Sequence, residues 1–312
     1  MQEPRGQELI NRYKQNYCIP DNAIITEEMI LRHWELEKVL ATKCLESTKE
    51  NRWAIFERCY YRLYKELPWL NELVGTDRQT PPSLLYKDWA YLIGSPPKRV
   101  YEIGSGKAEM IKYLADYGFM CRATEITQER GDKWVEQHPN LSWGITDGVH
   151  LGEFEPLSYY DAVISDSVIE HLHFDDIIEH FRGVHFILRK GGQYIFRTPH
   201  NYFGPCDVSW VFKCEKPRGM HLKEYTYYEI KEALIKSGFN QIYAVIRIPN
   251  ISIIRWLGAL IKTRPSRNYL NYSIFVEKMV SVVPEHRFRR AAAQFAQLAF
   301  FLPSIFVVAR KD

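Results

Sequence analysis

The feature that most constrains the fold is a change of pattern at Lys98. From that residue onward, short apolar segments alternate with amphipathic ones, and such alternation is typical of a parallel, doubly wound α/β sheet. Strands are predicted at 99–103, 121–126, 141–145, 162–165, 192–197, 241–248 and 304–309. Helices are predicted between them at 108–117, 128–137, 174–188 and 226–237. The sequence therefore predicts a mostly parallel, doubly wound sheet of seven strands.

Two additions to this sheet are predicted. Residues 1–96 form a helical N-terminal cap, in which Thr26 is an N-cap, one helix covers 51–67, and Pro96-Pro97 closes the region. Residues 97–312 form the sheet domain, with a helical insertion at about 249–303, before the last strand.

The charge balance limits the possible function classes. The chain has 41 basic and 38 acidic side chains, and this net charge of +3 argues against a protein built mainly to hold nucleic acid. The excess is local, because residues 251–312 carry ten basic and three acidic side chains. No secretory signal is visible at the start, and the six cysteines have no CxxC spacing. We therefore expect a cytoplasmic protein with reduced thiols.

Residues 291–309 carry no charge and could be mistaken for a membrane span. Gln294, Gln297 and Pro303 interrupt the apolar run. A helix that ends at Pro303, followed by the last strand, explains the segment better.

A glycine-rich turn follows the first strand. Gly104, Ser105 and Gly106 stand between a strand and a helix, where two glycines allow a sharp turn and close approach of a ligand to the helix N-terminus. A tight turn without a ligand would look the same. Glu102 lies two residues before the first glycine, and a carboxylate there suits a cationic ligand better than a pyrophosphate.

Polar residues also follow the next three strands. Glu125 ends the second strand, where a carboxylate can accept both hydroxyls of a ribose. Asp147 lies in the turn after the third strand, where it could accept the amine of an adenine. Ser165 and Asp166 end the fourth strand, at the edge of the sheet where α/β proteins bind ligands. A solvated strand end at Glu125 and a simple Asp-Gly turn at Asp147 remain the alternatives.

Together these motifs resemble the class I S-adenosylmethionine-dependent methyltransferases, over about residues 97–248 and the last strand. Glu170-His171-Leu172 after the fourth strand resembles the branch that contains small-molecule and sugar O-methyltransferases. The third glycine of the family motif is Ala108 here. The resemblance implies S-adenosylmethionine as cofactor, bound by the residues that match the family motifs. These residues are Glu102, Gly104, Ser105, Gly106, Glu125, Ile126, Thr146, Asp147, Gly148, Ser165 and Asp166.

Methyl transfer to a hydroxyl also needs a base, and an imidazole has a suitable pKa. His171 is the first candidate, His221 the second and His200 the third, and Glu170 is a further catalytic candidate. Any one of these histidines could instead be structural. In some ubiquinone-biosynthesis O-methyltransferases a Glu-x-x-Glu-His set binds a metal at this place. The matching residues here are Ser167, Glu170 and His171, so one carboxylate is missing and no metal is predicted.

Several residues are candidates for substrate contact. His33 and Glu37 lie four residues apart on the apolar arc of a cap helix, where they form either a buried structural pair or a wall of the pocket. His200, Asn201 and Tyr225 are further candidates. The cap also carries clustered aromatic residues, which are expected in the core or a homodimer contact rather than around a ligand. They are Trp53, Phe56, Tyr60, Tyr61, Tyr64 and Trp69.

The insertion interleaves basic and apolar residues. Three interpretations remain open: a helical lid with a solvated basic face, a peripheral contact of residues 251–300 with an anionic membrane or a lipid-linked substrate, and recognition of an acidic substrate.

The sequence thus predicts an O-methyltransferase that acts on a small metabolite or sugar. N- or C-methylation, a non-catalytic cofactor-binding protein and a nicotinamide dehydrogenase are the alternatives.

Overall fold

A computed structural model describes residues 3–77, 80–128, 138–247, 263–284 and 286–312. Within these residues eight strands form one mixed sheet. The strands are β1 Arg99–Ile103, β2 Met120–Glu125, β3 Leu141–Ile145, β4 Tyr160–Asp166, β5 Leu188–Pro199, β6 Gln241–Ile246, β7 Arg264–Ser266 and β8 Ser304–Arg310.

The strand order is β3-β2-β1-β4-β5-β8-β6-β7. Strands β1 to β5 are parallel, whereas β8 runs antiparallel between β5 and β6. The predicted count of seven strands is wrong, because β7 adds an eighth strand antiparallel to β6. This strand has only three residues, one of them Pro265, so it shows no apolar alternation. Its position at the edge of the sheet tolerates a proline, which has no backbone N–H to donate.

Twelve α-helices are present among the described residues. They are α1 Gly6–Tyr17, α2 Glu27–Leu45, α3 Arg52–Glu66, α4 Pro68–Leu73, α5 Pro82–Leu85, α6 Lys87–Ile93, α7 Glu109–Asp116, α8 Leu151–Phe154, α9 Ile177–Ile187, α10 Tyr227–Lys236, α11 Arg267–Ser281 and α12 His286–Ala296. The predicted helix at 128–137 lies almost wholly outside the described residues, as do residues 248–262 of the predicted insertion.

Local signals explain where several helices begin. The Thr26 side chain accepts a hydrogen bond from the Met29 N–H at the start of α2. Thr226 and Glu229 form a complete capping box at the start of α10.

The core lies on both faces of the sheet. Side chains alternate between the faces along each strand, so Val100 packs with α6 and α7 while Tyr101 packs with α9, α10 and α11. This two-sided packing is the doubly wound arrangement that the sequence predicts.

The N-terminal helices pack on the loop that follows β5. Trp34 of α2 stacks on Phe212 at 4.7 Å between ring centroids. The α2–α3 core includes Met220. A buried ion pair joins Arg52 of α3 to Asp176. Helices α2 and α3 are thereby held beside the loops at the carboxyl ends of β4 and β5.

The uncharged segment near the end of the chain divides into two elements. Helix α12 ends at Ala296 and not at Pro303, because Phe300 adopts a left-handed conformation (φ 65°) that closes a short 3-10 turn. Strand β8 follows at Ser304. No helix in the described part of the chain has both the length and the apolar character needed to cross a membrane.

Candidate active site

Two adjoining cavities lie at the carboxyl ends of the parallel strands. The larger has a volume of about 570 Å³ and the smaller about 130 Å³. Gly104, Ser167 and His171 line both. This is the edge at which open α/β sheets bind ligands.

The β1–α7 turn forms the wall between the cavities. Gly104 has a φ of 68°, and a Cβ placed there would lie 2.7 Å from Cγ2 of Val168. Gly106 has a φ of 56° and donates its N–H to Oε1 of Glu125 at 2.8 Å. Ala108, in place of the third glycine, also adopts the left-handed conformation as the N-cap of α7. The turn therefore presents bare backbone to the cavities.

Glu125 ends β2 at the edge of the smaller cavity. Its Oε2 accepts the N–H of Ile126 at 3.1 Å, in addition to the bond from Gly106. Burial raises the pKa of Glu125 to about 7, against the effect of these two N–H donors. The carboxylate is thus held in one orientation.

Glu102 and Ser105 carry buried polar atoms toward the larger cavity. Within the described residues, Oε2 of Glu102 and Oγ of Ser105 have no hydrogen-bond partner, and both residues line that cavity. Burial, together with the charges of Asp166 and Glu125, raises the pKa of Glu102 well above its usual value. A ligand with hydrogen-bond donors would satisfy these atoms.

Asp147 both shapes the turn after β3 and lines the smaller cavity. Its Oδ1 accepts the N–H groups of Val149 and His150, and its Oδ2 lies 2.6 Å from Nδ1 of His150. Thr146 closes the same turn by accepting the Gly148 N–H. Asp147 therefore stabilises the turn through its own hydrogen bonds and also lies in the wall of the smaller cavity.

The two residues at the end of β4 have different surroundings. Asp166 lines the larger cavity and forms a two-pronged ion pair with Arg197. Ser165 is fully buried and its hydroxyl lies 2.7 Å from the Tyr194 hydroxyl. Because successive side chains of a strand point to opposite faces, only Asp166 reaches the cavity.

Glu170, His171 and His221 form a cluster in the wall of the larger cavity. One ligand atom from each lies within 4.8 Å of the others, and the two imidazole rings meet edge to face at 4.8 Å. This arrangement of two imidazoles and one carboxylate could hold a divalent cation. The sequence motif contains only Glu170 and His171, and the fold brings in His221 from 50 residues further along.

The two histidines have different hydrogen-bond partners. Nδ1 of His171 lies 2.9 Å from the carbonyl oxygen of Met220, which can only accept, so Nδ1 carries a proton. His221 bonds to Oε1 of Glu224 at 3.0 Å. Burial alone would lower the pKa of His221, but Glu224, Glu170 and Asp207 together raise it to about 9.

Glu170 is the most buried member of the cluster. Its Oε2 accepts the hydroxyl of Thr198 at 2.9 Å, and its Oε1 has no hydrogen-bond partner among the described residues. Burial raises the pKa of Glu170 to about 7, although the charge of His221 lowers it. The carboxylate lies behind the two imidazoles as a partner for positive charge.

The candidate substrate residues divide into two groups. Glu37 lines the larger cavity and accepts the N–H of Met220 at 3.0 Å. His33 lies behind it, with Nε2 2.7 Å from Glu37 and Nδ1 2.8 Å from the Tyr13 hydroxyl. The second group is not among the residues that line the two cavities, and it consists of His200, Asn201 and Tyr225.

Some cavity residues have no signal in the sequence. Phe56, Tyr60 and Tyr64 of α3 line the smaller cavity, although their spacing indicates only an apolar helix face. Asp207 and Met220 belong to the long loop after β5 and line the larger cavity. A family alignment could have pointed to them, whereas local pattern could not.

A model of a methyltransferase-domain family matches residues 79–244, which is more than half of the chain. The match covers β1 to β6 and the polar residues at their carboxyl ends. No curated protein matches the sequence.

Solved structures of similar shape include several methyltransferases. A SAM-dependent methyltransferase from Archaeoglobus fulgidus is 16% identical, with 81% of this chain and all of that chain covered and a TM-score of 0.50. A possible histamine N-methyltransferase from Thermotoga maritima is 14% identical, with coverages of 83% and 99% and a TM-score of 0.48.

Phosphoethanolamine N-methyltransferase 2 of Haemonchus contortus is 15% identical, with 72% of this chain covered and a TM-score of 0.46. The present chain spans about half the length of that protein, with 52% covered. At these identities the likenesses concern the fold alone.

Proposed function

The chain belongs to the methyltransferase-domain family, and from this premise we propose that it transfers a methyl group from S-adenosylmethionine to a hydroxyl of a small metabolite or sugar. When bound, the cofactor supplies an electrophilic methyl group on a positively charged sulfur. The residues around the two cavities then have to hold it, orient the acceptor and take up a proton.

The cavity walls suit this cofactor. Glu102 and Ser105 would bind the amino-acid part, because their buried atoms lack partners within the described residues. Glu125 would accept the ribose hydroxyls, and Asp147 would face the base beside the aromatic side chains of α3. Acidic side chains around both cavities also favour a ligand with positive charge.

The observation that carries the proposal is the position and hydrogen bond of His171. Its Nδ1–H donates to the carbonyl oxygen of Met220, so Nε2 is the nitrogen that would take up the acceptor's proton. His171 lines both cavities, so it lies where the cofactor and the acceptor would meet. The acidic neighbours of His221 raise its pKa to about 9, which favours its protonated form at neutral pH and makes His171 the better base.

A second candidate, N-methylation, rests on the acidic wall of the larger cavity. Glu37, Glu170 and Asp207 line this wall and would attract an ammonium group. A basic nitrogen could lose its proton to His171 in the same way. The two candidates therefore differ in the atom that receives the methyl group, which is an oxygen in the first and a nitrogen in the second.

We further propose that residues 1–96 act as a cap and residues 97–312 as the catalytic domain. Glu37 of α2 and Tyr60 of α3 reach the cavities from this cap. A cap of this kind would exclude water from the acceptor and contribute to its selection.

The test combines binding with turnover. We expect S-adenosylhomocysteine to bind in calorimetry and NAD not to bind, and we expect a panel of hydroxyl and amine compounds to reveal methyl transfer by mass. His171→Ala should keep the affinity and lower turnover by about 10²–10⁴-fold, the contribution of a general base. His138→Ala, at a half-buried position that is not among the residues lining the two cavities, is the matched control.

Each other outcome has a definite meaning. Binding of NAD alone would exclude a methyltransferase reaction at this site, and binding of S-adenosylhomocysteine without transfer to any compound would favour a non-catalytic protein. Transfer to amines alone would replace O- by N-methylation. Because a metal on Nε2 would block proton uptake, activity should survive chelation with EDTA. Loss with EDTA and recovery with a divalent cation would assign the cluster to a metal instead.

A further inference from the structure

Helices α11 and α12 carry apolar side chains on their outer surface. Six large apolar residues of this segment are between 53% and 78% exposed. We call them the α11–α12 face, and they are Phe275, Met279, Val282, Phe288, Phe295 and Leu298.

The positions on each helix form one stripe. Phe275, Met279 and Val282 are spaced by four and three residues, and Phe288, Phe295 and Leu298 by seven and three, which places each set on one side of its helix. The opposite side of α11 is buried against the core through residues such as Leu270 and Val280. The exposed stripe of α11 therefore lies on the side of the helix away from the core.

The charges around this face have one sign. Among the described side chains from 263 to 310, Glu277 is the single acidic one. It is buried, and it accepts hydrogen bonds from His200 and from the backbone N–H groups of Tyr227 and Tyr228 at the start of α10. The basic side chains of the same segment are Arg264, Arg267, Lys278, Arg289, Arg290 and Arg310. The solvated charges among the described side chains of this segment are thus positive.

We propose that the α11–α12 face is a peripheral contact with a bilayer that contains anionic lipids. Exposed aromatic and aliphatic tips can enter the interfacial region, while surrounding basic side chains attract anionic headgroups. A second copy of this chain fits less well, because two such faces would bring like charges together. Several large apolar side chains exposed on two helices that pack together are typical of a contact surface.

The position of the face relative to the cavities gives the contact a use. Helix α12 packs against residues 201–203, which follow the end of β5. The charge of Arg290 reaches Cys206, a residue of the larger cavity. A molecule held at a bilayer by this face keeps that cavity close to the membrane.

The experiment is co-sedimentation of the full chain with vesicles. Phosphatidylcholine vesicles are compared with vesicles in which about one third of the lipid is phosphatidylglycerol. We expect the wild type to pellet with the anionic vesicles only. Phe275→Ser/Phe295→Ser and, separately, Lys278→Glu/Arg264→Glu should each weaken binding by about tenfold or more. Ile24→Ser/Leu157→Ser changes two equally exposed apolar residues elsewhere and should have no effect.

Several results would overturn the proposal. These are equal pelleting with both kinds of vesicle, no pelleting at all, unchanged binding of the Phe275/Phe295 variant, or equal loss in the Ile24/Leu157 control. Light scattering that shows a wild-type dimer, converted to monomer by Phe275→Ser/Phe295→Ser, would assign the face to a second copy. If that variant unfolds by circular dichroism, Val282→Ser tests the same stripe at its most exposed position.

Discussion

At the scale of single residues, burial sets the ionisation of the groups that the proposed reaction needs. Burial disfavours the charged forms of Glu125 and Glu170 and raises the pKa of each to about 7. His221 has a pKa of about 9 because its acidic neighbours outweigh the effect of burial. These groups titrate in the physiological range, as is common at functional sites.

Glu125 gives a prediction on cofactor affinity. An ionised carboxylate accepts hydroxyl protons best, so the wild-type affinity for S-adenosylhomocysteine should fall as the pH drops below about 7. Glu125→Ala should weaken binding about tenfold to a hundredfold at pH 8, and Glu125→Gln should remove the pH dependence. Calorimetry at several pH values measures both effects, with Glu57→Gln on the exposed side of α3 as control. A pH-independent affinity of the wild type would contradict this role.

His221 gives a prediction on stability. Its pKa in the folded protein, about 9, lies above the ordinary value of about 6.5, so protonation stabilises the fold. The contribution is fully present below about pH 6.5 and is lost as the pH rises through 9. The free energy of unfolding of the wild type, measured with urea, should therefore exceed that of His221→Gln by up to ~3 kcal/mol at pH 6 and by much less at pH 9.5. A difference that does not change with pH would show that His221 does not carry this charge.

At the scale of elements, the segment before the last strand is more firmly attached than a solvated lid would be. Glu277 of α11 accepts hydrogen bonds from His200 and from the N–H groups of Tyr227 and Tyr228 at the start of α10. One buried carboxylate thereby joins three parts of the chain. The sequence showed the basic and apolar residues of this segment but not this attachment.

Glu277→Ala should therefore destabilise the protein by about 3–5 kcal/mol, because it leaves a buried imidazole and two backbone donors without an acceptor. Glu277→Gln retains one acceptor oxygen and should cost less. Urea unfolding followed by circular dichroism measures the loss. Lys278→Ala, exposed on the same helix, is the control. A change of less than ~0.5 kcal/mol in the alanine variant would contradict the proposed attachment.

At the scale of the whole molecule, helices α2 and α3 share the walls of the cavities with the sheet. Phe56 and Tyr60 of α3 face Gly104 and Glu125 across the smaller cavity. The buried pair of Arg52 and Asp176 joins the same two parts. A ligand in these cavities would contact residues of both parts, so its binding should stabilise both parts against unfolding.

We predict a single thermal transition that S-adenosylhomocysteine shifts upward. A ligand at a hundred times its dissociation constant stabilises by about 2.7 kcal/mol, which corresponds to a rise of about 4 °C for a chain of 312 residues. Far-ultraviolet circular dichroism and tryptophan fluorescence should report the same midpoint, and NAD should leave it unchanged. Two transitions, of which the ligand moves only one, would mean that the cap folds independently.

The sequence by itself determined strands β1 to β6 and β8 and the mostly parallel sheet, because strand periodicity is a local property. It also located Glu102, Gly104, Glu125 and Asp147, since the carboxyl ends of successive parallel strands must lie along one edge. It could not detect β7, which is too short to show a pattern.

Only the tertiary structure decided which residues meet across long separations. It brought His221 to His171, placed α3 over the smaller cavity, and turned Ser165 toward the core while Asp166 reached the cavity. It also separated His200 from the cavities and paired it with Glu277. These outcomes depend on how loops and helices pack, and packing arises from contacts between distant residues that no local pattern encodes.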